Sequence, residues 1–75
     1  MINKYIELLK SKIDNGTVEI KFFDGEEVIA NIISVSETEN DVIYKIVSSN
    51  KADQKHSENT INLSNLNDIE FVTEV

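Results

Sequence analysis

The chain contains no cysteine, no proline, no tryptophan and no arginine, and only two of its 75 residues are glycine. The lack of cysteine excludes a disulfide framework and every metal site or nucleophile that depends on a thiolate. No apolar segment approaches the length of a membrane-spanning helix, so we predict no membrane partner. Packing must therefore stabilise one small domain, 1–75, and burial against further copies of the same chain would help.

Acidic residues outnumber basic ones, with fourteen aspartates and glutamates against seven lysines and a net charge of −7. Nucleic acids bind proteins largely through neutralisation of their phosphates, so this balance opposes RNA binding unless the lysines share one face. The missing arginine also removes the planar group that clamps phosphate or reads guanine. Lys4, Lys10 and Lys12 form the one candidate basic face, and the alternative is an ordinary solvated helix surface.

The N-terminal segment does not have the pattern of a secretory signal. Lys4, Glu7, Lys10 and Lys12 interrupt its apolar residues, and no small-residue cleavage site follows. We therefore predict a cytoplasmic protein. No glycine-rich phosphate loop appears, and we predict no cofactor.

Apolar residues at helical spacing predict one helix over residues 2–14. Ile2, Tyr5, Ile6, Leu9 and Ile13 fall on one side of it. Asn15–Gly16 then ends the helix, because glycine readily adopts the left-handed conformation of a helix C-cap. A helix of this length is marginal alone, so its apolar side must pack on other elements.

From Thr17 onward the apolar period changes from 3.6 to 2, which predicts five strands. Asp24–Gly25 is a strong hairpin signal between the first two strands, and the polar stretch 48–59 is predicted to be a surface loop. The predicted strands cover residues 17–23, 27–36, 41–48, 60–63 and 69–73. In the last strand we expect Ile69 and Phe71 to point inward, whereas Val72 and Val75 lie off the core alternation.

The second and third strands are apolar on both faces, which an ordinary sheet with one solvated face does not require. Ala30 and Asn31 lie near the middle of the long second strand, where a bend would fit. These features predict a strongly bent antiparallel sheet that closes into a small barrel, with the helix over one end. Among the aromatic residues, Phe22, Tyr44 and Phe71 are expected in the core, and only Tyr5 and Phe23 are candidates for exposure.

This order of elements resembles the Sm-like family, including its bacterial host-factor branch. The best-matching part is the segment from Val18 to Val35, VEIKFFDGEEVIANIISV, followed by ETEND at 37–41. The resemblance implies an Sm-like (SH3-like) barrel that forms a homo-oligomeric ring and binds single-stranded RNA. It implies RNA-binding positions at Glu37, Asn40, Ser64 and Asn65, although Ser64–Asn65 stands where the family carries a cation.

The same resemblance implies how the ring forms, since the fourth strand of one Sm-like subunit pairs with the fifth strand of the next. The residue pattern favours this independently, because residues 60–63 and 69–73 would be edge strands without proline and with few charges. The expected interface residues are Ile61, Leu63, Phe71 and Val72. An alternative is a protein-interaction or scaffold ring with no nucleic-acid binding, which the acidic charge and the absence of arginine favour.

Catalytic and metal-binding patterns are lacking. His56 is the only histidine and falls in the polar stretch, so a solvated side chain is expected there. The alternating acids Glu37, Glu39 and Asp41 do not match a calcium loop, because Val42 occupies the position where that loop needs glycine. No acid pair or Ser-His-Asp set could plausibly assemble a shielded active site. We therefore predict a protein that is not an enzyme and holds no metal.

Overall fold

The structure, a computed structural model, describes residues 4–50 and 60–75. It is mainly β, as predicted, with one short helix followed by five strands. The elements are α1 (Ile6–Ser11), β1 (Val18–Phe22), β2 (Glu27–Ser36), β3 (Asp41–Ser49), β4 (Ile61–Asn65), a 3₁₀ turn (Leu66–Asp68) and β5 (Ile69–Glu74). No helix within these ranges is long and apolar enough to cross a membrane. Most of the predicted polar loop, including His56, lies outside the described residues.

All five strands belong to one antiparallel sheet with the order β4-β3-β2-β1-β5. The edge strands are therefore β4 and β5, and in the described part of the chain neither has a partner on its outer side. The predicted antiparallel sheet is confirmed. The sheet is open, however, so the predicted closure into a barrel is not confirmed.

The connection between the two edge strands forces the sheet to curve. In a flat sheet β4 and β5 would lie four strand spacings apart, about 19 Å. The four residue steps from Asn65 to Ile69 span at most about 14 Å even when fully extended, and they include a compact 3₁₀ turn. The edges of the sheet must therefore approach one another at this end.

Two bulges between β2 and β3 explain why these strands looked apolar on both faces. The register shifts between Ile29 and Ala30, which leaves Val47 of β3 unpaired, and again between Ile32 and Ser34, which leaves Ile33 unpaired. Both unpaired residues are exposed, Ile33 to 41% and Val47 to 39%. Their apolar character therefore marks local bends at either side of Ala30–Asn31 rather than a second buried layer.

Helix α1 covers the core but is shorter than the predicted 2–14. Ile6 and Leu9 are buried by packing against β2, whereas residue 2 lies outside the described ranges. Ile13 leaves the helix to form an isolated parallel bridge with Ile32 of β2. The chain then turns at Asp14 and Gly16, both at positive φ, so the helix ends earlier than the Asn15–Gly16 signal predicted.

The facing of β5 differs from the prediction because of a bulge at Glu70. Ile69 pairs with Phe22, but Phe71 and not Glu70 pairs with Lys21, and the alternation is inverted from there on. Val72 is consequently buried at 6% exposure, whereas Phe71 is 37% exposed. The predictions that Phe71 points inward and that Val72 lies off the core alternation are therefore wrong.

Strand β4 places its apolar side chains in solvent. Ile61 and Leu63 are 65% and 64% exposed, and the alternate residues Asn62 and Ser64 are half-buried on the core side. Leu66, in the 3₁₀ turn, is fully buried and supplies the apolar contact that β4 does not make. Strand β4 thus has its apolar row on the outer face of the sheet.

We expect Ile20→Asp to unfold the protein, because Ile20 is fully buried at the centre of β1 between β2 and β5. An unpaired charge at that position should cost several kcal/mol, on the order of the whole stability of a small domain. Circular dichroism and urea unfolding measure the effect, and Glu19→Asp on the outer side of the same strand is the matched control. A folded Ile20→Asp variant with normal stability would contradict the facing of β1.

Candidate functional site

The outer edge of β4 presents both backbone and apolar groups. The Ile46 N–H donates to the Thr60 carbonyl at 2.9 Å, and in an antiparallel ladder bonded positions alternate. The backbone groups of Thr60, Asn62 and Ser64 therefore point to β3, while those of Ile61 and Leu63 point to the open edge. Such an edge is a template for another strand.

The edge at β5 differs from the edge at β4. Phe71 is 37% exposed, and the Lys21 ammonium lies 5.6 Å from the centre of its ring. Glu70, Thr73 and Val75 are exposed beside it. Three of the predicted interface residues, Ile61, Leu63 and Phe71, thus lie exposed on the two edge strands, and the fourth, Val72, is in the core.

The turn that follows β4 contacts the turn between β2 and β3. Asn65 Oδ1 accepts a hydrogen bond from the Asn67 N–H at 2.8 Å and one from Asn40 Nδ2 at 3.3 Å. The Leu66 N–H donates to the Asn40 carbonyl at 2.7 Å, and Asn40 adopts φ 60°, a conformation that asparagine tolerates well. Asn40 and Asn65, both predicted as RNA-binding positions, therefore lie together.

The other two predicted RNA-binding residues make separate contacts. The Ser64 hydroxyl is 2.8 Å from the Tyr44 hydroxyl, and Glu37 forms an ion pair with Lys10 of α1. The four positions are thus divided among three sets of contacts. Only Asn40 and Asn65 form a common surface.

The predicted basic face is largely neutralised by acids of the same chain. Lys10 pairs with Glu37, and Lys12 lies 3.5 Å from a carboxylate oxygen of Glu74. The hydrogen bond with Glu37 raises the pKa of the Lys10 amine. Lys4 lies 5.3 Å from the centre of the Tyr5 ring. Binding of a phosphate chain here would have to compete with these contacts.

An acidic cavity of about 480 Å³ lies between the β1–β2 turn and the 3₁₀ turn. Its lining is Phe22, Phe23, Asp24, Glu26, Ser64 and Asp68. Glu26 is only 7% exposed, and the Ser49 hydroxyl is 3.5 Å from its carboxylate. The acids around Gly25 are evident in the sequence, but Asp68 approaches through the pairing of β5 with β1, and Ser64 through the curvature of the sheet, so this cavity was not predicted. Its charge repels phosphate.

Tyr44 connects this cavity to the core. Its side chain is 2% exposed, and its ring centre lies 6.2 Å from that of Phe22. Burial raises the pKa of the Tyr44 phenol above its ordinary value of 10.0, the hydrogen bond with Ser64 opposes this shift, and the charges of Glu26 and Asp24 add to it. The site therefore favours a neutral hydroxyl at Tyr44.

Within residues 4–50 and 60–75, no three histidine, aspartate or glutamate side chains are placed to hold a metal ion. No family model, no curated protein and no solved structure matches the chain. The resemblance to the Sm-like family therefore stays a prediction from the sequence.

We expect the free energy of unfolding of the wild type to fall towards that of Tyr44→Phe as the pH rises above about 10. The pKa of the Tyr44 phenol is higher in the folded protein than in the unfolded chain. The neutral phenol therefore stabilises the folded state at pH values below the pKa of the unfolded chain. This contribution is lost as the pH rises through the folded pKa. At neutral pH the variant should lose roughly 1 kcal/mol with the Ser64 hydrogen bond.

Urea unfolding of both proteins between neutral and alkaline pH measures this convergence. Tyr5→Phe is the matched control, because Tyr5 lies half-buried beside α1 and Lys4. A difference between wild type and Tyr44→Phe that stays constant with pH would contradict the burial of a neutral phenol.

Proposed function

We propose that the chain is a non-catalytic, Sm-like protein whose function is to assemble with copies of itself into a closed ring. The assembly uses the open edge of β4 on one copy and the open edge of β5 on the next. The observation that carries the proposal is the pair of exposed apolar side chains, Ile61 and Leu63, on an edge strand without a partner among the described residues.

Natural proteins usually protect such an edge with charges, proline or a covering element, because exposed apolar edges pair with other chains. Strand β4 (Ile61–Asn65) contains neither a charged residue nor proline. Pairing with another copy would cover these side chains and use the outward N–H and C=O groups. In the proposed assembly the exposed edge of β4 is therefore the interface between copies.

The difference between the two edges favours head-to-tail assembly. An interface between β4 and β5 uses two different surfaces and leaves both surfaces available at the ends, so it continues until the assembly closes. The curvature that the short β4–β5 connection imposes directs successive copies around an arc. The Sm-like barrel, whose fourth and fifth strands serve this purpose in the family, has the same order of elements.

Catalysis is not part of the proposal. The residues that line the acidic cavity include no histidine and no cysteine. A protein-interaction or scaffold role for the ring is in keeping with its net charge of −7. The cytoplasm is the proposed compartment.

We expect light scattering to give a molar mass several times the 8.5 kDa of one chain for the wild type. The mass of Leu63→Asp should be lower. Leu63 is 64% exposed, so the variant should fold, whereas a carboxylate in an apolar junction should prevent pairing. Ile61→Pro tests the backbone groups, since the Ile61 N–H faces the open edge and not β3.

The matched control for the assembly test is Ile33→Asp. Ile33 is also an exposed apolar residue, but it lies at a bulge of β2, a central strand. Its variant should keep the wild-type mass. A monomeric wild type, or an equal loss of mass in Leu63→Asp and Ile33→Asp, would rule out assembly through the strand edges.

Binding of single-stranded RNA is a second candidate function, and the contact between Asn40 and Asn65 favours it. These two amides bring together two turns that the resemblance associates with RNA. The paired lysines and the acidic cavity oppose it. Any binding should therefore be weak and restricted to low salt.

We expect fluorescence anisotropy with uridine-rich and adenine-rich oligonucleotides to give dissociation constants no tighter than about 10⁻⁶ M at physiological salt. Asn65→Ala should weaken binding at the turns, and Lys4→Glu should weaken it only if the helix contacts the phosphates. Asn67→Ala is the control, because Asn67 contacts the Asn65 side chain through its backbone N–H, which the substitution keeps. A lack of binding at the lowest salt would remove RNA and leave the scaffold ring.

A further inference from the structure

We infer that Asn62 of one copy accepts a hydrogen bond from the Thr73 hydroxyl of the next copy, and that this pair sets the register of the junction. The inference rests on the proposed pairing of β4 with β5 and names the residues that meet there. It starts from Asn62 Oδ1, which is buried and has no hydrogen-bond partner among residues 4–50 and 60–75. A buried acceptor without a donor is costly, so a donor from outside these residues is expected.

The backbone direction of β5 follows from its pairing with β1. The Phe22 N–H donates to the Glu26 carbonyl at 2.8 Å, so Phe22 faces β2 and its neighbour Lys21 faces β5. Phe71, which pairs with Lys21, therefore faces β1. The backbone groups of the next residue, Val72, then point to the open edge, while its side chain lies in the core at 6% exposure.

The antiparallel sense covers the apolar row of β4, and the parallel sense does not. An antiparallel hydrogen-bonded pair joins residues whose backbone groups both face the junction, and it places their side chains on one face. Leu63 and Val72 form such a pair, which brings Leu63 and Ile61 to the core side of the next copy. In a parallel ladder a residue that faces the junction lies opposite one that faces away. Leu63 would then lie beside Phe71 on the outer face and stay in solvent.

The buried amide oxygen selects the register. With Leu63 opposite Val72, Asn62 lies opposite Thr73 in a non-hydrogen-bonded pair, whose Cβ atoms are about 4.5–5.5 Å apart. Thr73 is exposed in the single copy, and its hydroxyl is a donor for Asn62 Oδ1. A slip by two residues would place a phenylalanine or a valine opposite Asn62, at position 71 or 75. Neither side chain carries a donor.

The hydrogen bond supplies specificity, and the apolar row supplies most of the affinity. Apolar contacts of Leu63 tolerate a slip along the edge, because they have no fixed direction. An amide oxygen left without a donor inside the junction penalises every slipped register. A buried asparagine fixes the register of a coiled coil in the same way.

The first test compares two substitutions of Thr73 by sedimentation velocity, which measures the concentration at which the assembly dissociates. Thr73→Val keeps the branched shape and removes the hydroxyl, so we expect this concentration to rise roughly fivefold. Thr73→Ser keeps the hydroxyl and should stay within about twofold of the wild type. Because Thr73 is exposed in the single copy, urea unfolding of the dilute monomer should be unchanged in both variants.

A double-mutant cycle tests whether the two side chains act as a pair. Asn62→Ala removes the acceptor, so adding Thr73→Val to this variant should not raise the dissociation concentration further. Effects of the two substitutions that simply add would contradict a direct hydrogen bond between them.

Introduced cysteines report on the register directly, because the chain has none of its own. Asn62→Cys together with Thr73→Cys should form a disulfide between copies under mild oxidation, since opposite residues of a non-hydrogen-bonded pair lie within bridging distance. Electrophoresis without reductant should then show multiples of the 8.5 kDa chain. Ser64→Cys together with Thr73→Cys is the matched control for a slip by two residues. These positions are diagonal neighbours about 7–8 Å apart in the inferred register, so they should link poorly.

The outcomes separate this inference from the proposed function. An assembly that Leu63→Asp disrupts, but in which Thr73→Val and Thr73→Ser dissociate alike, would overturn the hydrogen-bonded pair alone. More efficient linking in the control cysteine pair, or a disulfide confined to single copies, would overturn the register. A wild type that is monomeric at every concentration would overturn the inference together with the proposed assembly.

Discussion

The short connection between β4 and β5 is the constraint on which the rest of the structure depends. Three residues of 3₁₀ turn join the two opposite edges of a five-stranded sheet, so the sheet has to curve. The curvature brings Ser64 of β4 to the cavity beside the β1–β2 turn, and Leu66 of the 3₁₀ turn is buried in the core. Strands β4 and β5 are the two edges of this open sheet, and the proposed assembly uses both.

The sequence predicts this architecture well where regular patterns determine it. One helix, five strands, the Asp24–Gly25 turn and the burial of Tyr44 all follow from apolar periodicity and turn chemistry. The bulges at Ile33, Val47 and Glu70 do not follow, because one unpaired residue depends on how two strands meet. The bulge at Glu70 therefore inverted the predicted facing of Phe71 and Val72.

The candidate site is predictable to a smaller extent. Asn40 and Asn65 were identified by resemblance, and the structure places them in contact. The ion pairs of Lys10 and Lys12 join residues 27 and 62 positions apart, so local patterns do not contain them. These pairs change the helix face from a candidate phosphate surface into one already occupied by acids, which favours protein over RNA as partner.

The most direct measurement of the central claim is amide hydrogen exchange at Ile61 and Leu63 at concentrations where the protein assembles. Their N–H groups face away from β3, so only another strand on the open edge can protect them within the structure described. The account predicts slow exchange at both amides, comparable to that of β3, and fast exchange after dilution to monomers. Fast exchange at both amides at every concentration would contradict it.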